Sequence, residues 1–188
     1  MIKNTIRHAP PWAFWDDLFS DEEIDKITAY CQEQTLQKGT VVAGKGDPQG
    51  RVSDIGFIFP SAETEWFFEK MNSIIEQIND QWYGFDLEGY LNFQYTEYDA
   101  AKNAHYGMHM DLFLGKPGPA RKLSLSLILN DDYEGGEFYV QDTEKPTVMP
   151  QKKGRLIMFP AFMLHGVRPV SNGVRRSIVI WVSGPMFR

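Results

Sequence analysis

The sequence predicts a mainly β chain with supporting α-helices, folded as a double-stranded β-helix (jelly roll) with its N-terminal helices packed on the outside. Two stretches of helical apolar spacing lie within residues 1–88. Runs with strand character follow, punctuated by Gly and Pro; about eight short strands, most of them in the C-terminal half, suit a double-sheet jelly roll. The clearest run, Lys122-Leu123-Ser124-Leu125-Ser126-Leu127-Ile128-Leu129, puts four leucines on one face and so specifies its register.

Taken in order, residues 1–19 read as a leading strand or extended arm whose aromatics, around Trp12, Phe14 and Trp15, dock on the rest of the chain. His8 in this arm reads as a surface histidine and not as a ligand. Ser20-Asp21-Glu22-Glu23 is a capping box, opening a helix whose apolar face carries Ile24, Ile27 and Cys31. Glycines and Pro48 between residues 39 and 54 predict a loop between short strands. It reads either as a plain hairpin loop or, at residues 43–50, as a flap over an active site, because lids come from such loops. A strand from Ile55 to Phe59 stops at Pro60. Ser61 is expected to cap a second helix, where Phe67, Met71, Ile74, Ile75 and Ile78 form a core stripe and Gly84 marks the end.

From Gly89 the chain alternates as a strand does, with Leu91, Phe93 and Tyr95 on one face and Tyr90, Asn92, Gln94, Thr96 and Tyr98 on the other. Burying that polar face costs free energy unless it has partners. A loop from Asp99 to Ala104 leads to His105. Gly115 to Pro119 is a turn-rich loop, and Gly135-Gly136-Glu137 opens a further strand through a tight turn. Short strands are expected between Pro146 and Pro150 and from Arg155 to Phe159, with His165 following in a turn.

Acidic residues outnumber basic ones by 25 to 19, so no global electrostatic attraction to nucleic acid is expected. The basic cluster Lys152-Lys153-Gly154-Arg155 reads as a solvated turn. The single cysteine, Cys31, excludes an internal disulfide, suits a reducing compartment and sits in an apolar pattern that makes it a core residue. No run fits a signal peptide or a membrane span, so a cytoplasmic protein is expected.

The chemistry centres on His109-Met110-Asp111. Residues two apart in a strand share a face, so an imidazole and a carboxylate project together. Leu164-His165-Gly166 adds a second histidine. Two histidines and a carboxylate form the facial triad that leaves open positions on non-haem Fe(II), and the same set with a water also suits Zn(II). Beyond it, Arg175 and Ser177 share a strand face and offer a fork of donors and a hydroxyl to a carboxylate. Arg176 faces the other way and is expected at the surface or in a sheet-edge salt bridge.

These motifs form an ordered set: His-x-Asp, Leu-Asn, Gly-Gly-Glu, Phe-Pro, then His-x-Val-x-Pro-Val-x-x-Gly-x-Arg-x-Ser. The set resembles the Fe(II)/2-oxoglutarate-dependent oxygenases, in particular the prolyl-4-hydroxylase-like branch, over roughly residues 90–183. The resemblance implies one oxygenase domain, with residues 1–88 as helical support and flap and 89–188 as the jelly-roll core. It implies Fe(II) held by His109, Asp111 and His165, with His105 outside the motif. It implies 2-oxoglutarate held by Arg175, Ser177 and Tyr98, with O2 as the oxidant and ascorbate as the reductant. Tyr106 would line the substrate mouth, and Arg51-Val52-Ser53 resembles an Arg-x-Ser of the same branch. The implied reaction hydroxylates an unactivated C–H bond, foremost proline in a peptide or protein, with a free amino acid or other small molecule as the alternative.

The chain departs from that pattern at Ile128, where oxygen-sensing relatives carry a tyrosine that touches the co-substrate carboxylate, and at Arg175, where collagen-type relatives carry lysine. The distal carboxylate must then rely on Arg175, Ser177 and Tyr98, with Ser124 and Ser126 able to add a hydroxyl. AlkB-type nucleobase dioxygenases carry a second arginine where this chain has Trp181, which with the acidic balance argues against nucleic acid. Halogenases of this chemistry replace the carboxylate, which Asp111 retains. A non-catalytic metal-binding module is the remaining rival, but it has no need of Arg175 and Ser177.

Overall fold

Ser20 opens the first helix as a reciprocal cap: its hydroxyl accepts from the Glu23 N–H, and the Glu23 carboxylate accepts from the Ser20 N–H. In the computed structural model, residues 10–40, 50–112 and 118–186 are described. The arm contributes β1 (Ala13–Trp15), followed by α1 (Asp21–Gln32). β2 (Gln37–Lys38), β3 (Arg51–Val52) and β4 (Asp54–Ile58) precede α2 (Glu65–Ile78). The predicted flap at 43–50 lies outside the described residues, apart from Gly50.

Ser61 does not cap α2. It starts the preceding turn, where the Thr64 hydroxyl accepts from the Ser61 N–H and donates to the Phe59 carbonyl, and the helix begins at Glu65. The turn uses up the local side-chain bonds that a cap at Ser61 would have made. At its other end α2 runs into a π-helical turn, Asn79–Tyr83, which Gly84 closes at φ 63°.

The second half supplies β5 (Phe93–Asp99), β6 (His105–His109), β7 (Ala120–Ile128), β8 (Glu134–Gly135), β9 (Phe138–Gln141) and β10 (Thr147–Val148). β11 (Leu156–Pro160), β12 (Leu164–Val167), β13 (Val170–Asn172) and β14 (Val174–Gly184) complete it. Strand β5 starts later than its alternation predicts: Gly89 makes only an isolated bridge to Ser183, and Leu91 is 90% exposed. His165 lies on a strand, not in a turn, because β12 pairs with β6 on one side and β9 on the other.

Among the described residues the major sheet has the order β1-β11-β7-β14-β5-β4-β2, and the minor sheet β10-β9-β12-β6-β3. The sheets face each other as a jelly roll, and side-chain alternation builds two cores. One face of the major sheet (Leu123, Leu125 and Leu127 of β7; Ile178, Ile180 and Val182 of β14) packs with Ile24, Phe67 and Met71 of the helices. Each such fully buried apolar side chain contributes about 1.5–3 kcal/mol. Between the sheets lies the second core, including Ile128, Phe138, Ile157 and Phe159. The leucine face is therefore spent on the helices, leaving Ser124, Ser126, Arg175 and Ser177 on the face that meets the minor sheet.

Cys31 is fully buried, as its helical setting predicts. The basic cluster does more than solvate a turn, since Lys153 pairs with Asp25, and Arg155 and Lys152 with Asp16 of the arm. No helix among the described residues is long and apolar enough to cross a membrane.

Candidate active site

Strands β6 and β12 set His109 and His165 directly opposite each other in register. Direct cross-strand partners on one face come within contact distance, and the two ring centroids are 4.2 Å apart. Asp111 follows just past β6, where its N–H and that of Leu112 bond to the Ala161 carbonyl. The ligand atoms of His109, Asp111 and His165 lie within 4.8 Å of one another, making them the one such metal-sized group among the described residues.

Each imidazole is oriented by its backbone. Nδ1 of His109 is 2.8 Å from the Gly107 carbonyl and Nδ1 of His165 is 2.9 Å from the Met163 carbonyl. A carbonyl only accepts, so Nδ1 carries the proton, and Nε2 is the nitrogen that the neutral ring offers to a metal. Both Nε2 atoms turn toward the Asp111 carboxylate, at 3.7 Å from His109 and 3.3 Å from His165. Burial and the neighbouring His165 push the His109 pKa down to about 4, which keeps the ring neutral. At Asp111 burial opposes ionisation, but His165, His109 and the Ser124 hydroxyl outweigh it and hold the carboxyl below the usual range. Two imidazole nitrogens and one carboxylate oxygen, converging in one group, fit a divalent iron with open positions.

Across the inter-sheet cavity lies Arg175, 1% exposed. Its Nη1 donates to Ser177 Oγ at 2.9 Å, while Nε and Nη2 are buried without a partner. An unpaired buried guanidinium is costly, and donors left open in a cavity fit an anionic ligand. Tyr98 pairs in register with Arg175 on β5, places its ring 5.5 Å from the guanidinium carbon and lines the same cavity with Gln94. The structure thus brings together His109, Asp111, His165, Arg175, Ser177 and Tyr98. His105 stays outside the group, with Nδ1 against the Asn103 carbonyl. Arg176 points to the opposite face and pairs with Glu97 at 3.1 Å. That pair is not at a sheet edge, because β14 runs between β7 and β5.

Several neighbours of the site differ from or add to the sequence expectation. Ser124, considered for the keto acid, instead donates to Asp111 Oδ2 at 2.7 Å. Arg121 Nη1 is 3.8 Å from Asp111 Oδ1, and its guanidinium lies 4.0 Å over the Trp181 ring. Tyr106 stacks on His109 with centroids 3.6 Å apart, and Arg51 covers Tyr106 in turn. Arg51 is also bonded to Ser53, so the Arg-x-Ser pair reaches the rim of the site.

Residues 93–183 match the family model for the 2OG-Fe(II) oxygenase superfamily. That stretch carries the likeness to the superfamily. A PKHD-type hydroxylase from Synechococcus sp. (strain CC9902) is 40% identical over 79 residues, covering 41% of this chain and 35% of the relative. The chain thus spans about a third of the length of the curated relatives it matches. The fold likeness is broader. A Pseudomonas putida prolyl-4-hydroxylase superposes with a TM-score of 0.77 at 19% identity, covering 94% of each chain. A Trichoplax adhaerens prolyl hydroxylase, solved in complex with a hypoxia inducible factor oxygen degradation domain peptide fragment, gives 0.76 at 15% identity over 92% of this chain and 83% of that one.

Proposed function

We propose that this chain is an Fe(II)- and 2-oxoglutarate-dependent dioxygenase that hydroxylates an unactivated C–H bond, foremost that of proline in a peptide or protein. The carrying observation is the pairing of a convergent His109–Asp111–His165 group with a buried arginine whose open donors share its cavity. The family match and the prolyl hydroxylase folds support the same reading. In it, residues 1–88 support a jelly-roll core of 89–188 within one domain, and ascorbate serves as reductant. The free, buried Cys31 fits a reducing, cytoplasmic setting.

His109, Asp111 and His165 would hold the metal. When bound, Fe(II) with 2-oxoglutarate and O2 supplies the oxidising power to insert one oxygen atom into a C–H bond, the keto acid leaving as succinate and CO2. The remaining work belongs to the protein's own side chains. Arg175 binds and orients the distal carboxylate of the keto acid, in a bidentate geometry that lysine cannot give. Ser177 fixes the guanidinium through Nη1, and Tyr98 packs against it. Phe138, Phe159 and Val167 wall the cavity and exclude water. Tyr106, stacked on His109, lines with His109 and Asp111 a cleft that Thr40, Phe57 and Met110 also border, where a substrate would approach.

Anaerobic titration with Fe(II) and 2-oxoglutarate tests the metal chemistry through the weak visible charge-transfer band of the chelate, which a zinc site does not give. Mass spectrometry of proline-containing peptide libraries, incubated with Fe(II), ascorbate and 2-oxoglutarate, tests the substrate. A gain of one oxygen on proline supports the proposal. A band without any peptide product would move the substrate to a free amino acid or another small molecule.

A further inference from the structure

Of the buried polar atoms without a hydrogen-bond partner among the described residues, three lie on Arg175 and its neighbour Tyr133: Nε and Nη2 of Arg175, and Oη of Tyr133. Protein interiors leave few such atoms, so a group of them on two touching side chains needs an explanation. Tyr133 is 9% exposed and belongs to the inter-sheet core with Ile128 and Tyr98. Ile128 pairs in register with Ser177, two residues from Arg175, and has no oxygen to offer the guanidinium.

The backbone is built to bring Tyr133 to Arg175. Asn130 staples the start of its loop to β14, donating to the Val174 carbonyl at 2.8 Å and accepting from the Arg176 N–H at 2.7 Å. Those two bonds grip the backbone on either side of Arg175. Two glycines then clear the space. A Cβ on Gly136 would lie 3.1 Å from Arg175 Cδ and 3.3 Å from Tyr133 Cε2, so both side chains border the space it would fill. A Cβ on Gly173 would crowd Tyr133 Cα and Cβ at 3.3 Å. Both glycines have positive φ, 64° and 74°, which excludes most other residues in any case. Burial raises the Tyr133 pKa, and the guanidinium beside it opposes that rise, although no hydrogen bond of good geometry joins them.

We propose that Tyr133 is a positioning residue for Arg175, its phenol oxygen accepting an Arg175 N–H when the guanidinium engages a carboxylate in the cavity. Tyr133 is not among the residues lining that cavity, so it acts through Arg175 and not on the ligand. Ser177 holds the guanidinium from Nη1, and Tyr133 holds it from a second direction, leaving the remaining donors aimed at the anion. The inference rests on the reading of Arg175 as the site for the distal carboxylate of 2-oxoglutarate.

The test is Tyr133→Phe, which removes one oxygen and keeps the ring packed. Binding is measured calorimetrically on the Mn(II)-loaded protein with 2-oxoglutarate and, separately, with oxalate, which chelates the metal but has no distal carboxylate. Tyr133→Phe should weaken 2-oxoglutarate about five- to tenfold, the scale of one hydrogen bond, and leave oxalate unchanged. In an Arg175→Ala background the same substitution should have no further effect. Unchanged 2-oxoglutarate affinity, an equal loss for oxalate, or an undiminished loss without Arg175 each overturns the inference while leaving the co-substrate reading in place. Wild-type protein that binds oxalate but not 2-oxoglutarate overturns both.

Discussion

The hydroxyl of Ser124 donates to Asp111 Oδ2 at 2.7 Å, and both groups are buried. A carboxylate that must present one oxygen to a metal needs its other bonds fixed, or the ligand geometry is lost to rotation. Ser124 does this from β7, on the opposite sheet from the two histidines.

Removing that hydroxyl should therefore weaken the metal and spare the fold. Ser124→Ala is expected to lower Fe(II) or Mn(II) affinity by about ten- to a hundredfold, the usual scale for an outer partner of a ligand. Ser126→Ala, which lines the same cavity without an Asp111 bond, serves as the control and should leave metal affinity unchanged. Equal metal binding in Ser124→Ala and wild type would show that Asp111 holds its orientation without the serine.

The metal group itself gives a contrast among histidines. His109→Ala, Asp111→Ala and His165→Ala should each abolish metal-dependent turnover while circular dichroism still reports a folded chain, because the larger apolar core, between the helices and the leucine face of the major sheet, includes none of the ligands. His105→Ala should keep its succinate production, since His105 lies outside the group. Loss of iron in His105→Ala, with retention in His109→Ala, would reassign the ligand.

Stability should carry a pH dependence from the arm. Arg155 donates Nε and Nη2 to the two Asp16 oxygens at 2.8 Å each, and Nη1 to the Pro150 carbonyl. Those Arg155 bonds, against a smaller opposing effect of burial, hold the Asp16 carboxyl below its ordinary value of 3.8. A depressed carboxylate pKa stabilises the fold above the unfolded value, and that share is lost as pH falls through the folded one. Asp16→Asn should cost about 1 kcal/mol near neutral pH, modest because the pair is partly exposed. The difference from wild type should shrink as pH falls below 3.8. Urea unfolding at neutral and acidic pH measures it; a constant gap would assign the cost to packing.

Period-two alternation made β7, β14 and the opposing roles of Arg175 and Arg176 legible in the sequence, because both strands are buried and fix their register. It was blind where the register breaks. The pairing of β14 with β7 steps from Val182–Leu123 to Ser183–Arg121, so Lys122 is the extra residue of a bulge. That bulge breaks the alternation and accompanies the approach of Arg121 to Asp111, which counting by twos along β7 does not foresee. A second irregularity, where His165 pairs with His109 but Val167 with Tyr106, lets Tyr106 stack on a ligand three residues away. Tyr133 was hidden for another reason: it sits in a loop after β7, and only the Asn130 staple and the glycines bring it to Arg175.

The register of β14 supports the most specific prediction for the co-substrate. Arg175 is buried in the cavity with open donors, whereas Arg176 on the other face is committed to Glu97. A charged hydrogen bond in an enclosed site is strong, and removing it leaves a carboxylate unpaired. Arg175→Ala should cost on the order of 2–4 kcal/mol in 2-oxoglutarate binding, roughly thirty- to a thousandfold in affinity. Ser177→Ala removes only the neutral bond that holds Nη1 and should cost about 1 kcal/mol. Arg176→Ala breaks a partly exposed ion pair worth about 0–1 kcal/mol of stability and should leave the affinity where it was. Calorimetric titration of the three metal-loaded variants ranks them. If Arg176→Ala proved the damaging change, the anion would have to enter from the helix-facing side of the sheet, and the cavity between the sheets would no longer be the site.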